Sequence, residues 1–193
     1  MPPGPGDNEI LDTRNGAGLS PASFSLRHRL FRAVWGVTWL LLAAWTPPPL
    51  HLWRRFLLRL FGAKLAPGAR IYGSANIWYP PNLTMGRNAV IGWKVNVYCQ
   101  GPVTLGDYAI VSQFAHLVSG THDIDNPGFQ LLTKPIQIGD HAWVAANAFV
   151  GPGVTIGEGA VLGACGVTFK DLPPWTVHAG NPARFIRDRK RGS

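Results

Sequence analysis

The feature that most constrains this chain is a six-residue period between Ile138 and Val167. Aliphatic residues stand at Ile138, Val144, Val150, Ile156 and Leu162, each followed by Gly or Ala: Gly139, Ala145, Gly151, Gly157 and Gly163. Four places after each aliphatic comes another small or β-branched residue, Ala142, Ala148, Val154, Ala160 and Gly166. A period of six matches neither a helix of 3.6 residues per turn nor a strand alternating in twos. It matches a mainly β solenoid with three short strands per coil, whose aliphatics stack into a narrow axial core. Small residues are needed where such a chain turns beside the neighbouring coil. The step starts at Leu65 (LAPGAR, IYGSAN, IWYPPN) and shifts by two after Leu83. It resumes at Met85, Ile91 and Val97, shifts again across 100–104, and continues at Leu105, Val111 and Leu117. Ile138 restarts it after one large interruption, so residues 122–135, HDIDNPGFQLLTKP, must leave the solenoid as an external loop. A polar loop on a rigid scaffold is where chemistry tends to be placed.

Charge divides the chain into three parts. Residues 1–64 hold eight Lys and Arg against three acids, residues 65–183 five against six, and residues 184–193 five against one. A nucleic-acid binder carries its charge across a folded face with aromatics interleaved, so two basic ends on a near-neutral body argue against that partner. They point to a membrane surface at the front and a phosphate ligand at the back. The two cysteines, Cys99 and Cys165, form neither a disulfide framework nor a metal spacing. Each falls in the repeat and reads as a small buried residue, in keeping with a reducing compartment.

Residues 1–23 read as a flexible lead-in, without the basic, apolar and cleavage regions of a secretory signal. Residues 24–62 read as a helical segment. In FSLRHRLFRAVWGVTWLLLAAWT, Ser23 or Ser25 caps the start and Thr46-Pro47-Pro48-Pro49 ends the run. Its uncharged stretch, Ala33 to Trp45, is about 13 residues, short of the roughly 20 that a membrane span needs. A second helix near 50–61 places Leu50, Trp53, Leu57 and Leu60 opposite Arg54, Arg55 and Arg59, with Gly62 as its stop. Two compatible readings follow. The pair packs on the first coil or a neighbouring subunit, or it lies in a membrane interface with Trp and Leu in the lipid boundary and Arg on anionic headgroups. The solenoid occupies 63–172. Pro173-Pro174 ends the repeat, and 173–193 form a cap over the last coil and a basic tail.

The repeat, SGTHD at 119–123, the block IGDHAWVAANAFVGPGVTIGEGAVLGACGV and the close KDLPPWTVHAGNPAR together resemble the hexapeptide acyltransferases. The front, WRRFLLRLFGAKLAPGARIYGSANIWYPPNL, is similar to the colanic acid biosynthesis acetyltransferase subfamily. The resemblance covers roughly residues 25–188. It implies a left-handed parallel β-helix, against the usual right-handed crossover. It implies a homotrimer closed by a three-fold axis, with acetyl-CoA and acceptor sites between adjacent subunits and no metal.

The implied reaction moves an acetyl group from a thioester to a sugar hydroxyl. A hydroxyl is a poor nucleophile and needs a base that is largely neutral near pH 7, which an imidazole of reference pKa about 6.5 supplies. His122 opens the external loop and matches the family's catalytic histidine in SGTH. The family's oxyanion donor, a backbone N–H, falls on Ala146 in WVAA. Asp123 and Asp125 follow the base; each orients the imidazole, binds the sugar, or is a solvated loop carboxylate. Asn96 stands where related enzymes present an amide to the acceptor. Trp78, with Tyr79, either stacks on a sugar ring or packs between subunits. The coenzyme arm is expected to pass Ala146 and Ala164. Its phosphates match Lys170 and Arg184, with Arg187 a weaker third. Phe169 replaces the family's Thr or Val, and either stacks on adenine or closes the core.

The expectation is an O-acetyltransferase that acts on an exopolysaccharide repeat unit or its lipid-linked precursor, in the cytoplasm or on the inner face of the cytoplasmic membrane. Its competitors are an acyltransferase for an amino sugar, antibiotic or serine, a γ-class carbonic anhydrase-like zinc enzyme using His116, His122 and His141, and a non-catalytic scaffold.

Overall fold

The computed structural model describes residues 24–190, and in it the six-residue step becomes three flat faces. The first face stacks Lys64–Leu65, Leu83–Met85, Val103–Leu105, Ile136–Ile138 and Thr155–Ile156. The second stacks Arg70–Ile71, Val90–Ile91, Ile110–Val111, Trp143–Val144 and Val161–Leu162. The third stacks Asn76–Ile77, Asn96–Tyr98, His116–Val118, Phe149–Val150 and Val167–Thr168. Neighbours within each stack are parallel and in register, as in Ile71 opposite Ile91 and Val97 opposite Leu117. The inward residues are apolar except Thr168 at the end of the third face; Ile71, Ile91, Val111, Val144 and Leu162 are fully buried. Each such side chain contributes about 1.5–3 kcal/mol of burial, so a column of them holds a fold whose strands are only two or three residues long.

The glycines after the aliphatics are there for space. A Cβ on Gly86 would lie 2.6 Å from the amide nitrogen of Asp107, and one on Gly139 2.6 Å from that of Glu158. The sharp bend itself falls two residues later, on residues in the left-handed region that are mostly not glycine: Asn88, Tyr108 and His141 at one set of corners, Lys94, Phe114 and Asn147 at the next. Left-handed backbone costs an L-residue roughly 1–2 kcal/mol. Here each bend offsets that cost with a hydrogen bond to the coil below, such as Tyr108 N–H to Arg87 O (2.7 Å) and His141 N–H to Asp107 O (2.8 Å).

The external loop leaves the coil two residues earlier than the repeat implies and is a β-hairpin arm. Gly120–His122 pairs antiparallel with Leu131–Thr133. This pairing satisfies backbone groups that the solenoid no longer serves. At its base Ser119 is fully buried; its hydroxyl accepts from Gly101 N–H (2.9 Å) and donates to Gly101 O (3.1 Å). The end of the chain also differs from expectation. Pro173-Pro174 does not end the coiling, because Thr176–Ala179 adds a further parallel strand to the second face. Arg184–Asp188 then returns antiparallel along its edge. Cys99 is buried, and burial pushes its thiol up to about 11. Cys165 is exposed, contrary to the reading of both as buried, because it occupies a left-handed corner whose side chain points away from the core.

Ahead of the coils, α1 (Leu26–Leu42) and α2 (His51–Leu60) form a collar. Ser25 caps α1, accepting from His28 N–H (3.3 Å). The buried side of α1 carries Trp35 and Trp39, whose indole N–H groups donate to Ile77 O (2.7 Å) and Gly73 O (2.9 Å). On α2 the expected polarity is corrected. Arg54 is fully buried with Leu57 and Leu58, while Trp53, Phe56 and Leu60 are exposed. The Arg54 guanidinium donates to Ile71 O (2.6 Å), Pro47 O (3.1 Å), Pro48 O (2.6 Å) and the Thr46 hydroxyl (2.6 Å). A proline-rich linker has few N–H groups of its own, so its carbonyls need an external donor, and the arginine supplies it. The lead-in 1–23 and the terminal 191–193 lie outside the described residues.

Candidate active site

His122 ends the first strand of the arm and is exposed. Its Nδ1 lies 2.9 Å from the carbonyl oxygen of Phe129, and the Phe129 ring stacks on the imidazole at 4.4 Å and 9°. A carbonyl only accepts, so this bond places a proton on Nδ1, and in the neutral ring the lone pair is then on Nε2. The orienting group is thus a backbone carbonyl across the hairpin. The Asp123 carboxylate instead accepts from Asp125 N–H (3.2 Å), and Asp123 N–H donates to Gln130 O (2.8 Å). Both aspartates shape the tip of the arm, and Asp125 is exposed there.

Beside the arm, the outward side of the third face carries a polar and aromatic column. Asn76 donates its amide to Asn96 Oδ1 (2.9 Å), and Asn96 Nδ2 lies 3.4 Å from His116 Nδ1. His116 stacks on Phe149 (6.4 Å), and Phe149 meets Phe169 (5.6 Å). Asn96 is therefore half-buried in a ladder along the face that leads into the arm. Phe169 is 65% exposed, which rules out its closing the core. Trp78 is taken up by the collar: Phe24 packs on it at 5.0 Å and the Arg32 guanidinium lies 4.2 Å over its ring.

The residues assigned to the coenzyme sit elsewhere. Ala146 and Ala164 occupy corners between the second and third faces. The Ala146 carbonyl accepts from Cys165 N–H (2.9 Å), and among the described residues no bond uses the Ala146 N–H. Lys170 lies just past the third face, its side chain exposed and its N–H on Thr168 Oγ1 (3.1 Å). Arg184 and Arg187 are exposed on the last strand of the second face. Within one chain, His122 and Ala146 flank the third face from opposite edges. His116, His122 and His141 do not converge either: His141 stacks on Tyr108 (5.1 Å, 3°) at a corner after the first face. Phe129 and Ser119 were not singled out from the sequence. Neither belongs to the repeat, and only the cross-hairpin pairing brings Phe129 to His122.

A family model described as "Bacterial transferase hexapeptide (six repeats)" matches residues 135–169. Over 156 residues, 81% of this chain and 86% of the relative, the sequence is 44% identical to a protein of Escherichia coli (strain K12) provisionally named the colanic acid biosynthesis acetyltransferase WcaF. The chain belongs to the hexapeptide-repeat acetyltransferases. It is also 31% identical to the galactoside O-acetyltransferase of E. coli (strain K12), over 70% of this chain and 68% of the relative. The solved structure of a hexapeptide-repeat-containing acetyltransferase of Vibrio cholerae, VCA0836, superposes with a TM-score of 0.77 at 26% identity, covering 86% of this chain and 95% of that one.

Proposed function

We propose that this acetyltransferase moves the acetyl group of acetyl-CoA to a sugar hydroxyl of an exopolysaccharide repeat unit or its lipid-linked precursor, with His122 as general base. The observation that carries the reading is the imidazole with Nδ1 engaged by Phe129 O and Nε2 free. Nε2 takes the proton of the hydroxyl as its oxygen attacks the thioester carbonyl. Negative charge gathers on that carbonyl oxygen, and a C–O bond forms. Collapse breaks the C–S bond, and the departing sulfur takes the proton back from the imidazolium. The unpaired Ala146 N–H is the donor for the transient oxyanion.

Two further points support this assignment. VCA0836 has also been solved with acetyl coenzyme A, at 24% identity and a TM-score of 0.71. Its fold likeness, with the exposed Lys170, Arg184 and Arg187 for phosphates, supports that donor. Because His122 and Ala146 flank one face from opposite edges, one chain does not complete the site; a cyclic trimer that sets one copy's arm against the next copy's corner would. The exopolysaccharide acceptor rests on the 44% identity with the WcaF protein, and a cytoplasmic location on the proposed donor. Asn96 and Asp125 are assigned to the acceptor, Asp123 to shaping the arm, and Ala164 and Phe169 to the coenzyme. Trp78 is assigned to the collar.

The test is acetyl transfer from labelled acetyl-CoA to a panel of sugar, amino-sugar and serine acceptors. His122→Ala should lower the rate about 10²–10⁴-fold with coenzyme affinity retained. An unchanged rate in His122→Ala would refute the base, and transfer only to amines would replace the acceptor class.

A further inference from the structure

The collar exposes what the coils hide. At about 100° per residue along α1, Leu30, Val37 and Leu41 fall on one stripe, on the side opposite Trp35 and Trp39. They are 63%, 57% and 61% exposed. Just past the end of the same helix Trp45 is 73% exposed, and on α2 Leu52 and Phe56 are 71% and 56% exposed. The Trp53 indole ties α2 to α1 by donating to Leu42 O (2.7 Å), and the Trp45 indole folds back on the end of α1, donating to Leu41 O (2.7 Å). Isolated exposed leucines need no explanation, but a continuous face of this kind on two joined helices does.

Charge identifies the occupant. Arg27 and Arg29 are exposed on either side of the α1 stripe, and Arg59 is exposed next to the apolar side of α2. From residue 24 to residue 106 the chain has no Asp or Glu. An apolar face rimmed only by cations complements a bilayer surface whose headgroups are anionic. The helices do not insert across it: among the described residues no helix is long and apolar enough to cross a membrane.

We infer that the outer face of α1 and α2 docks in the plane of an anionic phospholipid surface. The collar's location gives the docking a direction. Phe24 and His28 at the start of α1 pack on Trp78, Trp78 packs on Tyr98 (5.4 Å), and Tyr98 pairs with Val118, directly below the arm. The start of α1 and the arm therefore lie along the same edge of the prism, which suits an acceptor carried by lipid. That last step rests on His122 as the base; lipid binding does not.

The experiment is co-sedimentation of the full chain with vesicles of phosphatidylcholine alone and of phosphatidylcholine mixed with phosphatidylglycerol. Mass in solution is measured in parallel by light scattering, and transfer to a soluble acceptor is assayed alongside. The chain should pellet with the anionic vesicles and be released by salt. Replacing Leu30, Val37 and Leu41 together by Gln should weaken binding at least about tenfold. Arg27→Gln and Arg29→Gln should each weaken it about fivefold. All these variants should keep the parent's mass, thermal melt and soluble-acceptor activity. Failure of the parent to pellet, equal binding to both vesicle types, or a triple variant that loses oligomeric mass while still binding vesicles would overturn the inference. The last outcome would assign the face to a second copy of the chain.

Discussion

The coils and the collar sort their side chains by different rules. In the coils, Ile71, Val111 and Leu162 are fully buried while Arg70 and Asn76 face out. In the collar, Arg54 is fully buried while Leu30 and Phe56 face out. The difference lies in what decides the inward side. In a coil it is the backbone ladder: successive side chains alternate, and only one side of each short strand can meet the axis. On a helix docked against a preformed surface it is the partner that decides. Carbonyls were available on that surface, at Gly73, Ile77 and the proline linker, and only side chains with N–H donors answer them. Trp35, Trp39 and Arg54 therefore took inner positions, beside Leu57 and Leu58 of α2, while Leu30, Leu52 and Phe56 were left outside.

That contrast is open to measurement. The largest expected effect is in the coils. Leu117→Ala, at a fully buried position, should cost about 2–5 kcal/mol in denaturant unfolding, whereas Leu30→Gln should stay within about 0.5 kcal/mol. Equal losses would mean that the collar's outer face is covered in the folded assembly and that the contrast is illusory. Arg54→Ala should cost about 2–3 kcal/mol, because charged hydrogen bonds to linker carbonyls disappear. Arg54→Lys should recover little, since a single ammonium does not reproduce the fork. Gly139→Ala should cost about 1–3 kcal/mol through its collision with the next coil, with no change in helix content. The smallest effect is with pH. Burial holds His51, beside Ile71 of the first coil, below the ordinary histidine pKa, as it does His28 and His178. The native state then binds fewer protons than the unfolded chain. The melting temperature should be flat above about pH 7 and fall as the pH drops through roughly 6.5. His51→Gln should flatten part of that slope, and an unchanged slope would locate the titration elsewhere.

Much of the fold was legible in the sequence because the solenoid is written one residue at a time. Leu65, Met85, Leu105 and Ile138, read from the six-residue step, are the residues that stack on the first face. The handedness was never in the spacing and came only from the resemblance. Two of the corrected details, the polarity of α2 and the exposure of Cys165, depend on surfaces that a local pattern does not describe. The assigned site residues were legible as identities, since His122 marks the break in the repeat. Their support was not: the Phe129 carbonyl reaches the imidazole across a hairpin, and Ser119 holds the arm through a neighbouring coil.

One feature of the prism has a bearing on how such chains diversify. Corners following the first and second faces keep a constant length, as in 66–69, 86–89 and 106–109 or 72–75, 92–95 and 112–115. Every change of length falls after the third face, at 78–82, at 99–102 and then in the arm at 119–135, in vertical alignment. The polymer thus has a single seam along which it can be let out without disturbing the stack, and the arm is simply the longest piece sewn into it.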